Sequence, residues 1–192
     1  MTSRTAVLLS AVVLAAASRW LPHPANFAPM IAMGVFACAR LSDRRLALAA
    51  PLLALFVSDV GLEVLHRIDP ERWPNWGLYH GMWLNYVATV VGGLFGLLAR
   101  GRGAVVAPTI ALLAGSVAFF LLSNFSVWAL EDWYPKTLAG LGECYVAGLP
   151  FYRGPLGYSL LGDCVYGVIL FGGLALAEAR FPALRQAEPS PA

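Results

Sequence analysis

The chain has 192 residues, of which 59% are hydrophobic and 12% charged, and its formal net charge is +2. Soluble domains contain about 25% charged and about 45–50% apolar residues, so this composition excludes an ordinary soluble domain and is typical of an integral membrane protein. The arginines are scattered through short segments, which excludes a nucleic-acid-binding protein.

Apolar runs of about 20 residues are expected to cross a bilayer as helices, because lipid offers the backbone no hydrogen-bond partner. The sequence therefore predicts an all-α fold, an integral membrane bundle of six transmembrane helices forming one domain over residues 1–180. The six runs lie at roughly 5–21, 27–41, 46–66, 79–99, 104–124 and 156–178.

Two further segments carry structural predictions. Between the fifth and sixth runs, apolar residues at helical spacing predict a short re-entrant or interfacial helix near 137–149. The polar residues 181–192 predict a short, disordered cytoplasmic tail. The first run has a basic start and a small-residue end, which also describes a cleaved secretory signal. The six-span count favours its retention.

The positions of the basic residues predict the orientation, since arginine and lysine are enriched in short cytoplasmic loops. With six spans, eight arginines fall on the side of the two termini. Five basic residues fall on the opposite side, where acidic neighbours offset their charge. Both termini are therefore expected in the cytoplasm of a bacterial inner membrane protein. The eight arginines on the terminal side are Arg4, Arg40, Arg44, Arg45, Arg100, Arg102, Arg180 and Arg185.

On this topology, the chemically versatile side chains fall on the outer face. All six tryptophans lie there, which favours a vestibule with aromatic walls over a belt at both interfaces, although the belt remains the alternative for Trp20 and Trp133. The other residues of this face include His23, Asn26, His66, His80, Asn85, Asn124, Tyr134, Lys136, Cys144 and Tyr145, and the tryptophans are Trp20, Trp73, Trp76, Trp83, Trp128 and Trp133.

Ionisable residues within the predicted spans are costly in lipid and are therefore functional candidates. Asp59 and Asp163 both lie toward the outer face, where they can form the polar floor of a pocket or a buried packing network; the sequence leaves the two roles open. Glu63 and His66 share the helical face of Asp59 but lie nearer the interface, so ordinary solvation of their side chains is the simpler interpretation.

The sequence gives little support for an enzyme. Glu63-x-x-His66 is half of a di-iron helix motif, but a second copy is missing. Cys144 lacks the glycine turn of a nucleophile, and neither H-E-x-x-H nor G-x-S-x-G occurs. Rigid proline-containing loops over an apolar bundle are instead typical of a capture site for a small molecule.

Five sequence blocks, covering most of the chain, resemble a family of small bacterial membrane proteins labelled as transport proteins of uncharacterised function. That family in turn resembles the S-components of energy-coupling factor (ECF) transporters, the subunits that bind the substrate. The blocks are Arg19-x-Leu21-Pro22-His23-Pro24-x-Asn26-Phe27, Leu55-x-x-Ser58-Asp59, Ser123-Asn124-Phe125-x-Val127-Trp128, Tyr134-Pro135-x-Thr137-x-x-Gly140-Leu141-x-x-Cys144-Tyr145-x-Ala147-x-x-Pro150-Phe151 and Leu160-Leu161-Gly162-Asp163.

The resemblance implies capture of a vitamin-like molecule from outside, with docking onto an ECF coupling subunit driven by ATPases. Ala11-x-x-x-Ala15 is similar to the docking motif of that class, although small-x-x-x-small is common wherever helices pack closely. Some S-components resemble cobalamin carriers, for which His23 and His80 are candidate metal ligands. Two departures are Ala25, where a second proline is usual, and a longer 67–80 segment.

The sequence thus predicts a membrane-embedded uptake protein with no intrinsic cofactor, a cobalamin-like ligand being one option, whose partners are the bilayer, a small molecule and an ECF module. The alternatives are a ligand-free structural or assembly protein and, third, an intramembrane enzyme. For His23, a metal ligand and a lid-fastening hydrogen bond are both open. The predicted binding residues are His23, Asn26, Asp59, His80, Asn124, Trp128, Tyr134, Lys136, Cys144 and Asp163.

Overall fold

The computed structural model describes residues 2–74, 77–103, 105–153 and 158–185. Within these ranges the secondary structure is helical and contains no strand. The start of the sixth predicted run at 156 and the tail residues 186–192 lie outside the described residues. The seven main helices are α1 (Ser3–Ala17), α2 (Met30–Arg40), α3 (Arg44–Ile68), α4 (Met82–Ala99), α5 (Val106–Leu130), α6 (Leu138–Arg153) and α7 (Ser159–Arg180).

Four of the described helices, α3, α4, α5 and α7, are long and apolar enough to cross a membrane. Each has between 18 and 25 residues, and a helix rises about 1.5 Å per residue, so a 20-residue helix matches the hydrocarbon thickness. The four correspond to predicted runs three to six. The prediction of a helical membrane protein is confirmed at this level.

The first two predicted runs are shorter than expected. Run 5–21 forms the 15-residue α1, followed by a single 3₁₀ turn at Ser18–Trp20. Run 27–41 forms only the 11-residue α2, which is about 16 Å long and so covers about half of a bilayer core. Of the six predicted full spans, four therefore correspond to described helices that are long enough to cross the membrane.

Helix α2 is the centre of the bundle. Every residue from 31 to 39 is buried, and α2 packs against α1, α3, α4, α5 and α7. A helix that is apolar all round is expected to be enclosed in this way. Because α2 is short, the end of the bundle beyond Met30 has no central helix, and the connection 21–29 enters part of that volume.

The N-terminus of α2 is held by a carboxylate from α7. Asp163 Oδ1 accepts hydrogen bonds from the backbone N–H of Ile31 at 3.1 Å and of Ala32 at 3.3 Å, while Ser116 Oγ donates to Oδ2 at 2.8 Å. Asp163 is 3% exposed. The first N–H groups of a helix lack intrahelical partners, and a negative charge there is favoured by the helix dipole. Of its two open roles, Asp163 therefore has the packing role.

Glycines allow α2, α4 and α5 to approach closely. A Cβ added to Gly34 would lie 2.9 Å from Gly93 Cα, and one added to Gly115 would lie 2.4 Å from the carbonyl oxygen of Gly92. Side chains at these positions would therefore push the three helices apart, as at small-residue interfaces of membrane helices.

The helix predicted near 137–149 is present as α6, which extends to Arg153. It packs along the second half of α5, where Gly148 lies against the amide of Asn124. The turn before α6 is also tight, because a Cβ on Gly140 would lie 2.1 Å from the carbonyl oxygen of Pro135. This contact places α6 beside the open end of the bundle.

Candidate functional site

A cavity of about 1140 Å³ occupies the end of the bundle that α2 does not reach. Its walls come from the end of α1, the connection 21–29, the second half of α3, the segment 69–81, the start of α4, and α5 and α6. Ala28 and Met30, at the entry to α2, lie at its inner limit. The cavity therefore follows directly from the shortness of the central helix.

An ion pair lies in the cavity wall. Arg19 Nη1 is 2.6 Å from Asp59 Oδ1 and donates to Ser58 Oγ at 2.6 Å, and the hydroxyl of Tyr86 donates to Asp59 Oδ2. The side chains of Arg19 and Asp59 are 13% and 10% exposed, and Arg19, Asp59 and Tyr86 line the cavity. The pair is thus largely removed from solvent, but it is accessible from the cavity.

Local sequence explains how Arg19 reaches α3. The helix α1 ends in a 3₁₀ turn at Ser18–Trp20, which directs Trp20 onto α3. The indole N–H of Trp20 donates to the carbonyl of Ser58 at 3.0 Å. A Cβ on Gly61 would lie 2.5 Å from the indole ring, so glycine leaves the room that Trp20 needs. The Trp20 contact therefore fixes the register in which Arg19 meets Asp59.

Aromatic side chains from α5 and α6 form the opposite wall. The ring centroids of Phe120 and Tyr152 are 4.7 Å apart, and Phe119 and Phe151 also line the cavity. Ring pairs at this separation are mutually attractive. This wall offers planar apolar surface facing the polar groups of α3 and α4.

The connection 21–29 forms part of the rim. His23 Nδ1 is 2.8 Å from the carbonyl oxygen of Pro24, and the backbone N–H of Tyr158 donates to the carbonyl of Ala25 at 3.0 Å. Asn26 has a φ of +57°, in the left-handed region that asparagine tolerates better than most residues. This geometry agrees with the loop-fastening role of His23, and both His23 and Asn26 line the cavity.

The segment 69–81 is packed onto α3 and completes the rim. Trp73 lines the cavity, and its indole N–H donates to the carbonyl of Trp20 at 3.3 Å. Gly77 is buried against the backbone of Asp59, where a Cβ would lie 1.7 Å from the carbonyl oxygen. His66 Nδ1 is 2.7 Å from the carbonyl oxygen of Trp73. Trp76, also predicted for this vestibule, lies outside the described residues.

Two polar side chains extend the polar side of the cavity toward the rim. The amide of Asn85 donates to the hydroxyl of Tyr79, and both residues line the cavity. Burial raises the pKa of Tyr79 above its ordinary value. Tyr79 is therefore a neutral hydroxyl at physiological pH.

Four of the ten predicted binding residues line this cavity: His23, Asn26, Asp59 and Asn124. The amide of Asn124 donates to the carbonyl of Phe120 at 2.8 Å, which orients its side chain along α5. The sequence predicts that His23, Asn26, Asn124, Trp128 and Tyr134 converge on one outer cavity, and the first three of them line this cavity.

Trp128, Tyr134, Lys136 and Cys144 are not among the residues that line the cavity. Trp128 Nε1 donates to the carbonyl of Pro135 at 2.9 Å, and the ammonium of Lys136 donates to the carbonyls of Trp128 and Glu131. The stacking role of Trp128 and Tyr134 therefore stays a prediction, and neither residue lines the cavity that His23 and Asn26 line. The helix end of α5 needs partners for its last carbonyls, and the following turn supplies them through Lys136.

Cys144 and His80 also lie outside the cavity, as does Asp163 at the start of α2. Cys144 is 2% exposed and its thiol lies 3.3 Å from the carbonyl oxygen of Asn124. His80 is exposed beside Gly81, where α4 begins. In the described part of the chain, no three His, Cys, Asp or Glu side chains are grouped as metal ligands. The geometry therefore gives no support to a site shared by His23 and His80.

Sequence reasoning missed Arg19, Tyr86 and Tyr152 as cavity residues. In the sequence analysis Arg19 stands only as the first residue of a family block. The available signal was the presence of one carboxylate, Asp59, deep in an apolar run, because a buried charge requires a partner of opposite sign. Arg19 and Arg67 were the basic residues close enough to that end of α3 to be considered.

These features define a helical protein of the membrane-spanning type. It has a cavity that opens at one end of the helix bundle. The chain belongs to a family described as a family of unknown function (DUF6580), which matches residues 1–184. No curated protein and no solved structure matches the chain.

Proposed function

We propose that this protein binds a small organic molecule in its membrane-embedded cavity and takes part in its uptake. The observation that carries the proposal is a cavity of about 1140 Å³ with a polar ion-paired wall facing an aromatic wall. Small-molecule sites are typically apolar clefts of roughly 300–1,000 Å³ with a few placed polar groups. The cavity is slightly larger than that range and has that chemistry.

The topology supports capture from the outer side of a bacterial inner membrane. The four long helices, together with α1 and the half-length α2, form the six-segment bundle, and α6 is the re-entrant or interfacial element. Arginines gather at the end opposite the cavity, where Arg100 donates to the carbonyls of Cys38 and Leu41 and Arg4 pairs with Glu178. By the positive-inside rule that end, with both termini, is cytoplasmic.

The resemblance to ECF S-components supplies the energetic part of the proposal. The protein would present its ligand to a coupling subunit with ATPases, or release it without them. A cobalamin or another metal complex remains a ligand class to test, and an intrinsic cofactor is not part of the proposal.

A ligand-free structural protein is the second candidate, and one observation favours it. Several of the polar side chains singled out in the sequence, including Asp163, Trp128 and Lys136, bind backbone groups of the same chain. Such contacts stabilise the bundle without any ligand. An intramembrane enzyme is third, since the thiol of Cys144 is buried away from the cavity.

The decisive experiment blocks the cavity and compares ligand binding with a matched control. Ser123 on α5 lines the cavity, whereas the neighbouring Leu122 is exposed and does not. The purified protein is screened by thermal shift against free vitamins and cobalamins, then the variants Ser123→Phe and Leu122→Phe are compared. A ligand at about 100 times its Kd adds about 2.7 kcal/mol to the free energy of unfolding.

We expect at least one compound to raise the unfolding temperature of the wild type and of Leu122→Phe but not of Ser123→Phe. If no compound raises it across the panel, the structural candidate replaces this proposal. If a compound stabilises both variants equally, its site is not this cavity.

A further inference from the structure

The ion pair at the cavity has hydrogen-bonding capacity that the protein does not use. Arginine carries five N–H donors, and the contacts of Arg19 with Asp59 and Ser58 both involve Nη1. Within the described residues, Nε and Nη2 of Arg19 have no hydrogen-bond partner. Asp59 Oδ2 accepts a hydrogen bond from Tyr86 and Oδ1 lies in ion-pair contact with Arg19, and a carboxylate offers about four lone-pair sites. Unused donors and unused acceptors therefore belong to the same ion pair.

The charges of this pair limit what can bind against it. Arg19 and Asp59 neutralise each other at 2.6 Å, so a ligand ion placed there would leave one charge uncompensated in a largely desolvated site. A neutral group avoids that cost, provided it accepts a hydrogen bond from the guanidinium and donates one to the carboxylate. The best complement is therefore an acceptor and a donor on adjacent atoms of one uncharged group.

The opposite wall adds the requirement of a flat ligand. Phe119, Phe120 and Tyr152 present ring surface to the cavity, and planar π-systems stack on such rings. Toward the rim, the amides of Asn26, Asn85 and Asn124 line the same cavity. They can form hydrogen bonds with hydroxyl groups on a ligand tail. The cavity thus combines a ring-binding part with a polar mouth.

We propose that the ligand is an uncharged nitrogen heterocycle with a lactam edge, in which a ring N–H lies next to a C=O, attached to a hydroxylated tail. This inference rests on the binding function proposed above. The ligand C=O accepts from Arg19, and the ring N–H donates to Asp59. The ring lies against the aromatic wall, and the tail lies at the mouth.

Inosine and 1-methylinosine form the test pair, because the methyl group removes the lactam N–H and leaves the rest of the molecule in place. Binding of each is measured by equilibrium dialysis with the full chain in lipid nanodiscs. We expect inosine to bind and 1-methylinosine to bind about tenfold more weakly, because the acceptor on Asp59 then loses its donor. Uracil and hypoxanthine test the lactam without the tail.

A matched pair of double variants tests the role of the Arg19–Asp59 ion pair. Arg19→Gln with Asp59→Asn keeps polar side chains but removes both charges. Glu63→Gln with Arg67→Gln removes a second ion pair on α3, which does not line the cavity, while glutamine at position 63 can still accept from the N–H of Leu78. We expect only the first to weaken inosine binding, again about tenfold. Far-UV circular dichroism checks that both variants fold.

Other outcomes overturn the inference in recognisable ways. Tighter binding of the anion nicotinate or of zwitterionic phenylalanine than of every lactam, with sensitivity to the Arg19 and Asp59 double variant, refutes the ligand class and leaves the binding function in place. Equal affinities for inosine and 1-methylinosine also refute it. If neither these compounds nor the vitamin panel bind, the proposed function fails as well.

Discussion

Replacing Asp163 by asparagine or by alanine should separate its role as a helix cap from any need for its charge. Asparagine can keep all three contacts, since its Oδ1 accepts from the N–H groups of Ile31 and Ala32 and its amide donates to Ser116 Oγ. Alanine leaves these three buried groups without their partner. Each unsatisfied buried group costs about 1–3 kcal/mol.

The expected loss for Asp163→Ala is therefore at least about 3 kcal/mol, the low end of the sum for three groups, which is a large part of the roughly 5–15 kcal/mol that stabilises a typical fold. For Asp163→Asn we expect about 1 kcal/mol, from the lost charge at the helix N-terminus. Thermal unfolding in one detergent should show a decrease of roughly 10 °C for alanine and about 2–4 °C for asparagine. Two equally destabilised variants would refute the capping argument, and Ser116→Ala should cost less than Asp163→Ala.

Three further predictions concern the rim, α6 and the helix packing. His23→Gln should retain ligand uptake where His23→Ala loses it, because glutamine can replace the hydrogen bond of the ring to Pro24; failure of both folded variants would instead favour a metal-type role. The thiol of Cys144 should react with maleimide only after unfolding in SDS, because burial raises its pKa and shields it; fast labelling of the folded protein would contradict this. Gly115→Ala should lower the unfolding temperature, because its Cβ meets the Gly92 carbonyl oxygen, whereas Gly142→Ala, with open space around it, should raise it slightly.

The sequence predicted those parts of the fold whose residue pattern is determined directly by the surrounding lipid or by the local backbone. Long apolar runs identified α3, α4, α5 and α7, and the rigid Pro22-His23-Pro24 stretch identified one rim of the cavity. The spacing of apolar residues also located α6. These signals are local, because they depend on transfer of side chains into lipid and on backbone restraints of proline.

Contacts between residues that are distant in the chain could not be predicted in the same way. Asp59 was a candidate, but its partner Arg19 lies 40 positions earlier in the chain, and nothing local distinguishes it from a solvated arginine. The contact of Trp128 with Pro135 could not be predicted, because an aromatic residue at a helix end serves equally well as a ligand contact or as a donor to a turn carbonyl. The length of α2 was overestimated because residues 27–29 are apolar but not helical.

The short central helix also has a consequence for the order in which the protein assembles. Asp163 follows Ile31 by 132 positions, and at about 5–20 residues per second it is synthesised on the order of ten seconds later. During that interval the start of α2 has no partner for its N–H groups, and a helix of 11 residues is too short to cross the membrane alone. The centre of this bundle is therefore completed last, when α7 arrives, although its sequence is translated among the first.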